Sequence, residues 1–201
     1  MQIHIDVWSD FVCPWCYLVS TSLEKLATSH DVTVRWRAYQ LRPAGSPPMP
    51  EAVKARIKAM RPQFEQMAKM QYGIEINPGK QGIESLPALI GDKFAESQGK
   101  GHEFHQAVFE AYWRDAKNIE DTAILADIAE TAGLNREAFL AALDDDTLKQ
   151  DVAADIQQAQ MNGLTGVPAL VFNDKFLIPG AQPYEELVRV VEQLNKRLTQ
   201  A

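Results

Sequence analysis

Cys13 and Cys16 are the only two cysteines in this 201-residue chain, and they enclose Pro14 and Trp15. A Cys-x-x-Cys pair suits three kinds of chemistry: zinc binding, a small structural disulfide, or reversible thiol–disulfide exchange. Zinc sites usually take four ligands, often from two such pairs, and the chain has no second pair. A disulfide over so short a span removes little chain entropy and stabilises little. Exchange chemistry fits better. Residues three apart on a helix have Cβ atoms roughly 5–6 Å apart, and a disulfide needs about 3.5–4.5 Å. A small adjustment of one helical turn therefore opens or closes the bond. Two inert thiols remain the plain alternative.

The flanking residues show how the pair is held. Ile3, Ile5 and Val7 alternate with polar residues and lead through Trp8-Ser9-Asp10-Phe11-Val12 into the first cysteine. That pattern is a strand followed by a short loop. Tyr17, Leu18, Val19, Leu23 and Leu26 then follow helical spacing. Proline suits the first helical position, where an N–H is not needed. Cys13 thus falls at the N-cap, facing the N–H groups of Trp15 and Cys16. The helix end contributes about 0.3–1 kcal/mol to a charged group there, and one pKa unit is about 1.4 kcal/mol. The dipole alone therefore lowers a thiol pKa by less than about one unit. Larger depressions need hydrogen bonds to the sulfur. Cys16, one turn further in, is expected to be the more buried, resolving thiol.

Further along, Val32, Val34 and Trp36 alternate with polar residues, completing a strand–helix–strand unit whose strands run parallel. Residues 41–50 contain Pro43, Pro47, Pro48 and Pro50 and cannot form a regular element. A helical pattern then continues from Glu51 to about Asn162. Val53, Ile57 and Met60 make one stripe, Pro62 is expected to break or kink that helix, and Gly73 to stop it. The tail returns to strands, Ala169–Phe172 and Lys175–Ile178, around an Asn173-Asp174 turn. Pro183 opens a final helix. The expected architecture is α/β. Residues 1–40 and 164–201 form a thioredoxin-like domain, and residues 41–163 form a large inserted all-helical domain, because both outer pieces are needed to complete one sheet.

With 20 basic and 27 acidic residues the net charge is −7, which disfavours nucleic acid as a partner. No apolar run is long enough to span a membrane. The first residues lack the basic and apolar segments of a leader, so the expected setting is cytoplasmic, where disulfides are mostly transient and catalytic.

Several other residues invite chemistry. His102 and His105, with Glu103, suggest a metal site, but His105 falls between Phe109 and Tyr112 on the helical wheel and reads first as a packed histidine. His4 and His30 join no cluster. Asp6 and Asp10 flank the approach to the dithiol, where a carboxylate could accept the Cys16 proton. A surface or capping role fits them equally. Met49, Met60, Met67 and Met70 read first as core gap-fillers and second as the lining of a substrate groove. Asp144-Asp145-Asp146 fits a helix N-cap.

Just before the tail hairpin stands Gly163-Leu164-Thr165-Gly166-Val167-Pro168. Residues Trp8–Tyr17, Thr165–Phe172 and Gly180-Ala181-Gln182-Pro183 together resemble the DsbA-like thioredoxin family, and within it the FrnE-type branch. That branch is related to 2-hydroxychromene-2-carboxylate isomerase and kappa-class glutathione transferase. The resemblance spans nearly the whole chain. It implies a thiol–disulfide oxidoreductase or isomerase with Cys13 as nucleophile and Cys16 as resolving thiol. Pro14 and Trp15 would shape the substrate surface. Pro168 would be a cis-proline facing the dithiol, and the backbone of Val167 would pair with an extended substrate. Protein or small-molecule disulfides are the implied partners. No cofactor is required, with glutathione as a conceivable co-substrate. The isomerase and transferase relatives usually carry serine at the Cys13 position, so the cysteine here favours redox chemistry. A glutathione-dependent isomerase or transferase, and a redox-sensing chaperone without turnover, remain the alternatives.

Overall fold

The computed structural model describes residues 2–200, with side chains through residue 197. β1 (Ile3–Ser9) forms the spine. Ile3, Ile5 and Val7 are fully buried against Val19, Leu23 and Leu26 of α1 (Pro14–Ser29) and Leu187 and Val191 of α8 (Tyr184–Gln200). β2 (Val32–Ala38) pairs parallel with β1, from Ile3 opposite Val32 to Ser9 opposite Ala38. β3 (Ala169–Phe172) lies antiparallel on the other side of β1, and β4 (Phe176–Pro179) pairs antiparallel with β3. Among the described residues this makes a four-stranded sheet in the order β2-β1-β3-β4, the thioredoxin-like arrangement expected.

The helical insertion lies between β2 and β3: α2 (Glu51–Met67), a π-helical turn (Ala68–Tyr72), α3 (Leu86–Ser97), α4 (Gly101–Trp113), α5 (Thr122–Thr131), α6 (Arg136–Ala142) and α7 (Asp146–Met161). Its core is continuous with the surroundings of the dithiol. Phe104, Val108 and Phe109 of α4, Leu125 of α5 and Phe139 of α6 join one apolar cluster with Phe11, Cys13, Cys16 and Tyr17. Gly91 permits the close approach of α3 to α6, since a Cβ there would lie 2.7 Å from the Phe139 ring.

A charged clamp fastens the insertion to the sheet. Asp155 of α7 is buried and accepts hydrogen bonds from Arg37 (2.8 Å) and from the backbone N–H of Ala38 (2.9 Å). The Lys93 ammonium of α3 lies 2.6 Å from the same carboxylate. Trp8 donates its indole N–H to the Asp155 carbonyl at 2.9 Å. The Asp144-Asp145-Asp146 run caps α7 as expected, with Asp145 accepting from the Thr147 N–H.

Three expectations need correction. Pro62 neither breaks nor ends α2, which is continuous through it. Proline removes one helical hydrogen bond, and the carbonyl left behind at Lys58 stands on an exposed turn where water serves it. The helix gives way later, in the π-helical turn, and Gly73 at φ 72° stops it. Lys175 belongs to the hairpin turn with Asn173 and Asp174, whose positive φ angles reverse the chain, and β4 starts at Phe176. Of the insertion methionines Met67 is partly buried and packs against the core residues Ala68 and Tyr72. Met60 and Met70 are exposed. No helix among the described residues is long and apolar enough to cross a membrane.

Candidate active site

Cys13 occupies the N-cap of α1, with extended φ and ψ of −93° and 116°, and Pro14 stands at the first helical position. The loop before it closes through Cys13 N–H donating to the Asp10 carbonyl at 3.0 Å. The Cys13 thiol donates to the Val167 carbonyl at 3.5 Å, and the Val167–Pro168 peptide bond is cis. The Pro168 carbonyl accepts from the Gly180 N–H at 2.8 Å, which holds this loop to the end of β4. Pro14 and Trp15 thus follow Cys13 on α1, and Val167, just before Pro168, meets Cys13 from the other loop.

Both thiols are free and buried, Cys13 at 4% exposure and Cys16 at 0%. Their electrostatics differ in sign. The Cys16 thiol, aimed at the Cys13 sulfur, holds the Cys13 pKa below the ordinary thiol value, and the N–H groups of Cys16 and Trp15 act the same way against the cost of burial. Burial pushes Cys16 well up, and the shared hydrogen bond with Cys13 adds to it. The two thiols are therefore inequivalent, with the Cys13 pKa lowered and the Cys16 pKa raised.

Asp10, at the loop after β1, is fully buried. Its carboxylate accepts from the N–H of Val12 at 3.3 Å and of Leu41 at 2.7 Å, so it ties the active-site loop to the start of the insertion. Burial raises its pKa, and the Ser85 hydroxyl and these backbone donors counter that rise. Its charge opposes ionisation of Cys13. Asp6 does not share the site. It is held by Arg35 at 2.7 Å and Arg37 at 3.1 Å, away from the thiols.

Beside Cys13 opens an apolar cavity of about 380 Å³, walled by Pro14, Trp15, Ile57, Met60, Phe64 and Trp113. Trp15 is 45% exposed and meets the edge of Phe64 at 5.1 Å. Arg42 and Arg61 stand on the rim. The volume falls within the range of small-molecule sites, roughly 300–1,000 Å³. The methionine pattern hinted at this wall, because Met49 and Met60 line it. The contribution of Phe64 and Trp113 had no local signal.

The histidines part company. His102 is exposed, while His105 is buried with Asp92 at 2.9 Å. Among the described residues no group of three or more His, Cys, Asp or Glu is placed to hold a metal ion. Ser9 and Asp92, both near this histidine, carried no signal in the sequence.

The model of the DSBA-like thioredoxin domain matches residues 4–192. The chain belongs to the DsbA-like thioredoxin family. The uncharacterized protein YwbO of Bacillus subtilis (strain 168) is 30% identical over 203 residues, covering 98% of this DsbA-like chain and 100% of the relative. The fold of this DsbA-like chain also resembles 2-hydroxychromene-2-carboxylate isomerase (TM-score 0.78, 20% identity, covering 98% of this chain and 97% of that one). It resembles the cytosolic disulfide reductase DsbM from Pseudomonas aeruginosa, solved with glutathione (TM-score 0.73, 18% identity, covering 97% and 100%).

Proposed function

We propose that this chain is a cytosolic, FrnE-type thiol–disulfide oxidoreductase that exchanges disulfides through Cys13. The observation that carries the reading is the asymmetry of the two thiols: Cys13 at a helix N-cap with a lowered pKa, and Cys16 sealed beneath it with a raised one. The Cys13 thiolate attacks a substrate disulfide, a mixed disulfide forms at Cys13, and the leaving sulfur departs as thiolate. Cys16 then attacks the Cys13 sulfur, the Cys13–Cys16 bond closes, and the second substrate sulfur leaves reduced. The reverse sequence oxidises a dithiol. No metal or organic cofactor enters this cycle. When the Cys13 hydrogen bond to Val167 opens, that carbonyl becomes available to an extended substrate, as in strand addition. Glutathione fits as co-substrate.

The test is the equilibrium of the Cys13–Cys16 pair in a glutathione redox buffer, with disulfide reduction measured on the same sample. A reversible intramolecular disulfide, and activity lost in Cys13→Ser, are the expected results. If no such disulfide forms, the redox reading fails.

The apolar cavity beside Trp15 favours a second reading, a glutathione-dependent isomerase or transferase of small molecules. It predicts that Cys16→Ala keeps full activity on a small aromatic substrate, since only the Cys13 position would contact glutathione. Exchange chemistry predicts that the same variant stalls as a mixed disulfide.

A further inference from the structure

Exposed apolar side chains gather beside the dithiol. Trp15, Leu41, Val53, Ile57 and Met60 are each between 36% and 51% exposed, and all but Val53 line the cavity next to Cys13. Contiguous apolar surface left in water marks a binding site. Phe64, which Trp15 meets edge-on, and Trp113 complete the walls. Such walls receive an aromatic or aliphatic group. A small molecule suits the site better than a broad protein surface, because Cys13 is only 4% exposed and the walls enclose a cavity of about 380 Å³.

The charge on the rim has one sign. Arg42 and Arg61 line the cavity, and among the described residues no carboxylate lines it. Residues 41–62 hold five basic side chains and one acidic one, in a chain whose net charge is −7. A local excess of this kind draws in anions. Neither guanidinium is fully engaged. Arg42 Nη2 donates to the Pro47 carbonyl at 2.6 Å, and Arg61 Nε donates to Glu65 Oε1 at 2.5 Å. A guanidinium has five N–H donors in a fixed fork, and among the described residues these are the hydrogen bonds that the two heads make. The bonds hold each head in place and leave donors for a ligand. Glu65 offsets the charge of Arg61, whereas Arg42 has no carboxylate partner among the described residues. The fork matches the two oxygens of a carboxylate.

We infer that the cavity selects low-molecular-weight disulfides that join an apolar group to a carboxylate. The apolar part lies against Trp15 and Phe64. Arg42, assisted by Arg61, takes the carboxylate at the rim. The inference rests on the dithiol reading above and names its substrate class. The Cys13 thiolate bonds to one substrate sulfur, the substrate S–S bond breaks, and the other half leaves as a thiolate. Cys16 releases its proton and bonds to the Cys13 sulfur, and the first half leaves as a second thiolate. The substrate disulfide gains two electrons, and the dithiol loses two as its own disulfide closes. One turnover therefore needs no outside reductant.

The test mixes the reduced full-length chain with an excess of one of three reagents. Dithiodibenzoate is apolar and anionic, its diamide is apolar and uncharged, and dithiodiglycolate is anionic without a ring. Acid quench and mass spectrometry follow closure of the Cys13–Cys16 disulfide, which gives a limiting rate and a half-saturation concentration for each reagent. Every rate is divided by that of the same reagent with free cysteine, which removes differences in chemical reactivity. Wild type is expected to prefer dithiodibenzoate over the diamide. In Arg42→Gln that preference is expected to fall on the order of 10-fold, about one charge-assisted hydrogen bond, and to fall through the half-saturation concentration. Arg42→Lys is expected to restore part of it. Arg61→Gln is expected to give a smaller fall, because Glu65 already shares that head. Arg61 stands on α2, which buries none of its residues, so this variant keeps the fold. A change in Cys13 reactivity acts on both reagents and cancels in the ratio.

A ratio that stays at its wild-type value in Arg42→Gln and in the double variant overturns the inference. An equal fall for dithiodiglycolate also overturns it, since exposed charge alone would then explain the attraction. A wild-type protein that forms a mixed disulfide with these reagents and never closes the Cys13–Cys16 bond overturns the dithiol reading instead.

Discussion

On the Cys13 side of the active site the walls are apolar, open and borrowed from the insertion: Trp15 stands partly exposed over a cavity finished by Ile57, Met60 and Phe64 of α2. On the Cys16 side they are closed: that thiol is fully buried in the apolar cluster of Phe11, Tyr17 and Phe109. The two thiols are one helical turn apart and both buried, yet only Cys13 lies beside the opening. Burial beside an apolar opening leaves a nucleophile free to meet varied substrates. Burial in an apolar core holds the other thiol protonated. The contrast also separates tolerance from cost, because α2 buries none of its residues while α4 buries most of one face.

Breaking the closed side at the sulfur itself has the largest effect. Cys16→Ser is expected to abolish turnover and leave a stable mixed disulfide on Cys13, detected by mass spectrometry as an adduct of one substrate equivalent. Next comes the clamp of the insertion on the sheet. Asp155→Ala leaves Arg37 with Asp6 and Lys93 with Glu96 as their remaining ion pairs, and the two side chains are only 18% and 11% exposed. Breaking a buried pair costs about 3–5 kcal/mol when the remaining charge is uncompensated, and the second partners here put the expected loss below that. Urea unfolding is expected to show that loss, with the titration of Cys13 in the folded fraction unmoved.

The open side should behave differently. Trp15→Ala is expected to cost little stability and to raise KM for apolar disulfides roughly 5- to 30-fold, or about 1–2 kcal/mol for an aromatic anchor. A hydrophilic disulfide measured in parallel should show no such rise. An equal rise for both would mean that the cavity does not select for apolar groups.

Asp10→Asn sharpens the comparison most finely. The ionised carboxylate raises the Cys13 pKa, so its removal is expected to move the thiolate absorbance titration to lower pH. Stability carries the second sign. Burial lifts the folded pKa of Asp10 above its ordinary value of 3.8. As pH rises from there the unfolded chain ionises first, and Asp10 disfavours folding progressively until the folded carboxyl ionises too. In Asp10→Asn that decline should flatten.

Much of this was legible along the chain. The alternation of Ile3, Ile5 and Val7, proline after the first cysteine, and Asn173-Asp174 between two apolar runs specified strand, N-cap and hairpin. These are short-range preferences, decided by neighbours within a turn of helix or a pair of strands. Pro62 misled because a proline's cost depends on whether water can reach the carbonyl it strands, and that is set by packing.

The sequence by itself determined that Cys13 stands at the N-cap of a helix with Cys16 one turn below, while the proline loop facing it was implied only by the family resemblance. Only the tertiary structure decided that Asp6 turns to Arg35 and Arg37 while Asp10 turns inward. It alone decided that α2 offers its stripe to a cavity, and that Ser9, Asp92 and His105 meet. Those three residues lie on a strand and two helices separated by long stretches of chain. Their meeting depends on how whole elements pack, and no local spacing records the apolar burial that brings them together.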